Sequence, residues 1–290
     1  MDVPTDRPDT AVQPRRLAGD TFVFESITNS GYTNGVLIDT GPEPEAYAGW
    51  PISDVLITHG HADHFSSAAA LRRGGARIIA PREEVSLVEN PEVNIRGMFS
   101  WARPSDAMVT KLFRGDGAKV DGYADEWKGA GIDGIPLPGH TLGHSGYLTA
   151  DGVLFSADAV YQRAMWQRHP LPYAIDPGLV ASSLSVIESL DFDWLVPGHG
   201  VPTGREEALL DIAHHRERME AISASLLAHL AEPLTTEQAI AALSRDAGLS
   251  DNAPEYWLAV TTVKAYLSDL VREGSAEFFV RDHAGWWRTV

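Results

Sequence analysis

Cysteine is absent from this 290-residue chain, which removes disulfides, thiolate nucleophiles and sulfur-ligated metals. Any resident metal must then be held by imidazole and carboxylate groups. Long apolar runs are missing too: no stretch of about 18 apolar residues exists to span a bilayer. The opening MDVPTDRPDTAVQPRR is polar, without the basic end and apolar stretch of a secretory signal. A cytoplasmic protein with no membrane partner is the expectation from these absences. Basic charge is also scarce, 23 Lys plus Arg against 40 Asp plus Glu, for a formal net charge of −17. That balance opposes broad binding to a polyphosphate backbone, so nucleic acid is not an expected partner. What is present is ordinary for a globular chain: 44% hydrophobic and 22% charged residues, enough to bury a sizeable core.

The proline-punctuated residues 1–19 show no periodicity and are expected to form an irregular arm, with structure starting near Asp20. TFVFESI and NGVLIDTG then read as strands joined by tight turns. DVLIT (54–58) reads as a strand, residues 59–64 as a polar loop, and SSAAALRR as a short helix closed by Gly74-Gly75. ARIIAP, VSLVENP, GIDGIPLPGH, SGYLTADGVLFSAD and FDWLVPGHG repeat a theme of buried strand running into a loop that carries His or Asp. SSLSVIESL is an intervening helix. This alternation predicts an α/β layered catalytic domain over 20–205. Within it, residues 90–127 are Gly-rich and aromatic and are expected to be helix and loop covering a site. After 205 come two helical patterns, a capping signal at Thr235 and Gln238, and two closing strands, AEFFV and GWWRTV. They predict a small winged-helix-like domain over 206–290. Its 7 Lys plus Arg against 14 Asp plus Glu make it a poor DNA reader, so packing or homodimer support is its expected role.

Chemistry concentrates in Thr58-His59-Gly60-His61-Ala62-Asp63-His64, three imidazoles and a carboxylate directly after an apolar strand. A solvated polar loop is the ordinary alternative, but four ligand-type residues in six positions point to metal binding. His140 after Pro138-Gly139, Asp158 after LFSA and His199 after Pro197-Gly198 sit at matching strand ends. Together the seven residues satisfy two divalent ions when one carboxylate bridges them and a water fills the open position.

In the order and spacing of this H-x-H-x-D-H loop and the later His, Asp and His, the sequence resembles the metallo-β-lactamase superfamily, and is similar in spacing to its glyoxalase II-type members. The resemblance covers roughly 20–205. It implies an αββα sandwich with a dinuclear site at one edge, where His59, His61 and His140 hold the first metal, Asp63, His64 and His199 the second, and Asp158 bridges. Zinc is the metal expected, with iron or manganese as alternatives. Several antibiotic-cleaving β-lactamases place Cys in the second site; this chain offers Asp158, so β-lactamase activity is not expected. His61 stands where flavo-diiron proteins resemble one another in having Glu, which disfavours an oxygen-reducing centre.

The resemblance implies hydrolysis of a thioester or ester of a small acyl substrate by a metal-bridging hydroxide, which Asp63 would orient. The alternative is a lactonase: quorum-quenching members look similar in having D-x-x-Y, here Asp158 and Tyr161, with the phenol near the substrate carbonyl. Tyr161 is thus a catalytic candidate beside Asp63, a packed core tyrosine being the competing account. A nuclease or phosphodiesterase would want a basic groove. A single-iron sulfur dioxygenase would use only His59, His140 and Asp158.

Other residues carry weaker signals. Asp39 and Asp54 are candidates for orienting metal-bound imidazoles, with turn chemistry as the alternative. His144 is expected to be structural. Met165, Trp166, Pro170, Leu171, Pro172 and Tyr173 form a Pro-broken apolar loop suited to core cover or to an acyl-binding wall. His214, His215 and His229 are read as a solvated helix face, and His169 and His283 receive no role.

Overall fold

A computed structural model describes residues 13–109 and 113–290. Two sheets face each other. The first has seven strands in chain order, β1 (Pro14–Ala18), β2 (Thr21–Phe24), β3 (Ser30–Thr33), β4 (Val36–Ile38), β5 (Asp54–Leu56), β6 (Arg77–Ala80) and β7 (Gly122–Tyr123). It starts as an antiparallel meander and becomes parallel from β4 onward. Helices α1 (Ala62–Phe65), α2 (Ala68–Arg73), α3 (Val85–Glu89) and α4 (Glu92–Met98) lie between its later strands in sequence. The second sheet contains β8 (Ile132–Pro136), β9 (Ser145–Thr149), β10 (Val153–Ala157), β11 (Trp194–Pro197) and β12 (Thr203–Gly204), in the order β12-β11-β10-β9-β8. Helix α5 (Pro177–Ser189) is the crossover that makes β10 and β11 parallel; Asp176 caps it by accepting from Leu179 N–H, and Pro177 opens its first turn.

Alternating burial assembles these layers. Val23, Val36, Ile38, Leu56 and Ile79 from one sheet meet Ile132, Tyr147, Val153, Phe155 and Val196 from the other, which is the inter-sheet core. On the outer faces, Phe65 and Ala68 pack against the first sheet, while Leu184 and Ile187 of α5 pack near the second. The αββα sandwich expected from the motif is therefore present.

Beyond it lie α6 (Arg205–His229), β13 (Leu234–Thr235), α7 (Thr236–Ala247), α8 (Ala253–Arg272), β14 (Ala276–Arg281) and β15 (Ala284–Thr289), the strands forming a sheet in the order β13-β15-β14. The Thr235 and Gln238 capping box is formed, and Gly248 ends α7 in the left-handed region at φ 70°. No break in packing occurs at residue 205. Ala208 and Ile212 of α6 join the core outside the second sheet, and Trp166 and Leu171 join the core of α6, α7 and α8. Phe99 stacks on Trp257 of α8, ring centroids 3.9 Å apart, so the segment after α4 and the C-terminal helices close over one another.

Two expectations are corrected. The irregular arm over 1–19 is in part a strand: Pro14–Ala18 pairs antiparallel with β2, while residues 1–12 lie outside the described residues. VSLVENP is helical over Val85–Glu89, because Glu84 and Val88 are the buried pair, four residues apart, and that spacing is helical.

Candidate metal centre

Each metal-type side chain leaves the C-terminal end of a strand. His59, His61, Asp63 and His64 follow β5, His140 follows β8, Asp158 follows β10 and His199 follows β11. Between β10 and β11 the register shifts before Ala157, which takes a positive φ of 44° and presents Asp158 to the cluster. A non-glycine residue in that region costs about 1–3 kcal/mol, strain tolerated where geometry is needed.

The structure brings all seven residues together as two donor groups. His59, His61, His140 and Asp158 offer atoms within 4.8 Å of one another, as do Asp63, His64 and His199. His61 Nδ1 lies 3.1 Å from His59 Nε2 and 2.9 Å from His140 Nε2. Two nitrogens about 2.0–2.1 Å from one tetrahedral zinc are separated by a little over 3 Å, so this spacing suits a shared cation. Asp158 joins the groups, with Oδ1 3.4 Å from His64 Nε2 and Oδ2 3.4 Å from His140 Nε2. There is no room for a side chain at Gly198, where a Cβ would sit 2.1 Å from Asp158 Oδ1.

The surroundings decide which way the imidazole protons point. Tyr173 O accepts from His140 Nδ1 (3.0 Å) and Ile27 O from His199 Nδ1 (2.6 Å). Asp39 Oδ2 accepts from His64 Nδ1 (2.7 Å) and from the Thr58 hydroxyl, which in turn accepts from His59 Nδ1. With their Nδ1 atoms engaged by these outward acceptors, His59, His64, His140 and His199 aim Nε2 inward, where a metal ion would take the place of any proton carried there. His64 Nε2 is fully buried without a hydrogen-bond partner among the described residues. Lone pairs and carboxylates converging on common points repel unless a cation lies among them, so the donor set fits divalent metal ions.

Titration follows the same geometry. Burial drives His61 down to about 4 and His140 to about 3, leaving both neutral and free to coordinate. Burial also opposes charge on His199, but the Asp158 and Asp63 carboxylates outweigh it and hold this imidazole up at about 9. Burial raises the Asp158 carboxyl, yet His199 and His64 hold it well below the usual range. A raised imidazole stabilises the metal-free fold below its ordinary pKa of 6.5 and loses that contribution as pH rises through about 9. A metal ion competes for the same position. Zinc affinity is expected to rise steadily from pH 6.5 to 9 while the metal-free protein loses stability over that window. Competition titration against a chromophoric chelator, with melts of the metal-free protein, checks both; a flat affinity would show that no proton is displaced.

Several supporting residues were invisible in the sequence. The Thr28 hydroxyl donates to Asp63 Oδ2 at 2.9 Å, and the Asn29 side chain donates to Pro197 O and Gly200 O, bracketing His199. Glu84 is fully buried and accepts from Gly60 N–H (2.8 Å) and Gly143 N–H (2.6 Å), tying the first histidine loop to the His140 loop. None belongs to a ligand-like pattern, and only their partners in space reveal them. Asp39 orients an imidazole as expected. Asp54 does not: it pairs with Arg77 and accepts from Trp127 Nε1, because β6 and the 127 region lie beside it. His144 is buried against His59, ring centroids 4.8 Å apart. His215 is not on a solvated face. It is buried, and its Nδ1 accepts from Tyr161 N–H.

The centre forms one wall of a cavity of about 590 Å³. Tyr161 lines it beside Asp158 and packs edge-on to Trp166 and His215. Burial, then the charges of Asp158 and Asp63, push its phenol well above 10, so it stays protonated. Met165, Leu171, Pro172 and Tyr173 line the cavity, while Trp166 of the same loop is buried and packs against the C-terminal helices. Met98, Phe113 and Leu258 complete the apolar side, so part of the 90–127 segment covers the site as expected, joined by α8. Among the described residues no helix is long and apolar enough to cross a membrane.

Comparison with known proteins agrees with this architecture. A family model described as the metallo-beta-lactamase superfamily matches residues 17–199, more than half of the chain. A hydroxyacylglutathione hydrolase of Rhizobium meliloti (strain 1021) is 31% identical over 117 residues, covering 39% of this chain and 36% of that protein. Another of that name, from Pseudomonas paraeruginosa (strain DSM 24068 / PA7), is 31% identical over 119 residues, covering 40% and 36%. The match thus spans little more than a third of the length of these curated relatives. A beta-lactamase domain protein from Burkholderia ambifaria superposes with a TM-score of 0.71 at 18% identity, covering 99% of this chain and 97% of that one. A metallo-beta-lactamase family protein from Thermus thermophilus gives 0.67 at 18% identity, covering 92% and 93%. At such identity these two likenesses speak to fold alone, whereas the family model spans every residue of both donor groups, and the chain belongs to the metallo-beta-lactamase superfamily.

Proposed function

We propose that this protein is a metal-dependent hydrolase that cleaves the thioester or ester bond of a small acyl substrate at a pair of divalent ions, with zinc the expected metal. The observation that carries the reading is the convergence of seven donors, split into two groups and joined by Asp158, on the wall of a largely apolar cavity. Bound divalent ions lower the pKa of water from 15.7 toward about 7 and polarise a carbonyl oxygen. His59, His61 and His140 would hold one ion, Asp63, His64 and His199 the other, and Asp158 would be shared.

The chain's own groups do the rest. Asp63, held by the Thr28 hydroxyl and kept ionised by His64 and His199, is placed to orient the attacking water. Tyr161, kept protonated by its surroundings, donates toward the oxyanion that forms at the carbonyl carbon. The apolar walls hold the acyl group and exclude bulk water. A thiolate leaves without a proton, whereas an alkoxide needs one, which the hydroxyl newly added to the carbonyl carbon can give up.

The hydroxyacylglutathione hydrolase relatives favour the thioester, and their limited overlap leaves the acyl and thiol parts open. The Asp158-x-x-Tyr161 arrangement keeps lactone opening as the second reading. A nuclease reading has little support, since the cavity lining includes one arginine and no lysine among the described residues. The single-iron dioxygenase reading leaves Asp63, His64 and His199, a complete second group, without a purpose.

The test is metal-reconstituted full-length protein assayed on a thioester, an aryl ester and a lactone sharing one acyl chain. Hydrolysis of at least one is expected, abolished by chelation and restored by zinc. Tyr161→Phe should lower kcat by about 10²–10³-fold with little change in KM if the phenol meets the oxyanion. Turnover that survives metal stripping would remove the mechanism, and an unchanged kcat in the tyrosine variant would return Tyr161 to a packing role.

A further inference from the structure

We infer that the substrate carries an anionic group, a carboxylate in the simplest case, on an apolar body, and that Arg168 reads it. This rests on the hydrolytic reading above and adds the substrate's chemical class. The cavity of about 590 Å³ falls well inside the range of about 300–1,000 Å³ of small-molecule sites, larger than an acetyl-sized group requires. Its lining includes Met98, Phe113, Met165, Leu171 and Leu258, which favours an extended aliphatic or aryl body.

One basic residue belongs to this lining. Arg168, an exposed residue of the cavity lining, follows a 3₁₀ turn over Met165–Gln167, its backbone N–H bonded to Met165 O at 2.9 Å. It is the only Lys or Arg among the described lining residues, and it forms no ion pair with any described residue. Arg103, Arg218 and Arg245 also form no ion pair with a described residue, but Arg168 alone among them lines the cavity. Arg163 is clamped by Asp211 and Glu207, Arg216 by Glu188, and Arg272 by Asp176 and Asp269. A guanidinium offers five donors in a fixed fork matched to carboxylate geometry, and leaving that fork unused beside a cavity reserves it for a ligand.

A group read this way discriminates by charge, because a neutral analogue of the same shape forgoes a charge-assisted hydrogen bond. Two matched pairs test it on the zinc-loaded, full-length protein: the aryl thioesters of octanoic acid and of octanedioic acid with its far carboxylate free, and the products octanoate and octanedioate. The wild type is expected to favour the ω-carboxylate thioester in kcat/KM by about 10–100-fold, and calorimetry is expected to give the same preference for octanedioate. In Arg168→Met both ratios should collapse toward one, and Arg168→Lys should restore part of each. The ratio is the readout, so a general effect of the substitution cancels. Equal treatment of the paired compounds by the wild type, or a preference that survives in Arg168→Met, overturns the inference. If neither thioester is cleaved but octanedioate keeps an Arg168-dependent advantage, the hydrolytic reading fails and the charge-reading one stands; cleavage of both thioesters at equal rates is the reverse case.

Discussion

Replacing Asp158 with Ala is expected to cut kcat/KM by more than the about 10²–10³-fold that a single oxyanion donor is worth, and to drop bound zinc below two per chain. Position explains the size of the effect. Its Oδ1 faces His64 Nε2 at 3.4 Å, and its Oδ2 faces His140 Nε2 at 3.4 Å and His199 Nε2 at 3.6 Å. One carboxylate therefore reaches both donor groups, whereas Asp63 meets only His64 and His199 of the second. Two dications held by these groups would repel each other in a buried site, and a carboxylate reaching both would offset that repulsion. Asp158→Asn keeps the shape without the charge and should lose nearly as much. Metal analysis and kinetics on the same preparation provide the check; activity within tenfold of the parent would show that Asp158 is not shared between the ions.

Glu84→Ala is the second large effect, in a residue that touches no ion. Its two oxygens accept from Gly60 N–H and Gly143 N–H, so the substitution strands one buried donor, at about 1–3 kcal/mol, and one half-buried donor. It also frees the loops bearing His59, His61 and His140 to drift, and loss of such supporting contacts costs about 10–100-fold in metal affinity. The approach is close: a Cβ at Gly60 would lie 3.0 Å from Glu84 Oε2 and 2.4 Å from Leu87 Cβ, so only glycine lets the clamp form. Glu84→Gln retains one acceptor oxygen but turns an amide N–H₂ toward a backbone N–H, and is expected to recover little. Thermal melts with and without zinc, together with chelator competition, separate the two consequences. A variant that melts early yet binds zinc as tightly as the parent would show that Glu84 serves the fold alone.

How much of this was legible beforehand varies from residue to residue. The 59–64 loop reveals itself because a strand followed by alternating imidazoles is a local arrangement, set by spacing along the chain. His140, Asp158 and His199 gained meaning only from their company with that loop. VSLVENP misled because its apolar content suits a strand, and only the burial of Glu84 with Val88 shows the helical face that packs. His215 misled in the opposite direction: charged neighbours along α6 suggested solvent, but the loop from Tyr161 to Trp166 folds over that face and buries it.

The chain's linear order alone determined the donor inventory, the absence of sulfur ligands, the alternation that stacks two sheets between helices, and the strand ends from which the donors emerge. Each depends on residue type and near-neighbour spacing, which survive without any knowledge of the fold. Only the closing of the two sheets decided which carboxylate reaches both donor groups, which carbonyls orient the imidazoles, that Glu84 and Asn29 brace the loops, and that Arg168 and Leu258 line one cavity. Those contacts join positions up to 171 residues apart, as Asn29 to Gly200 does, and no local pattern encodes such a meeting.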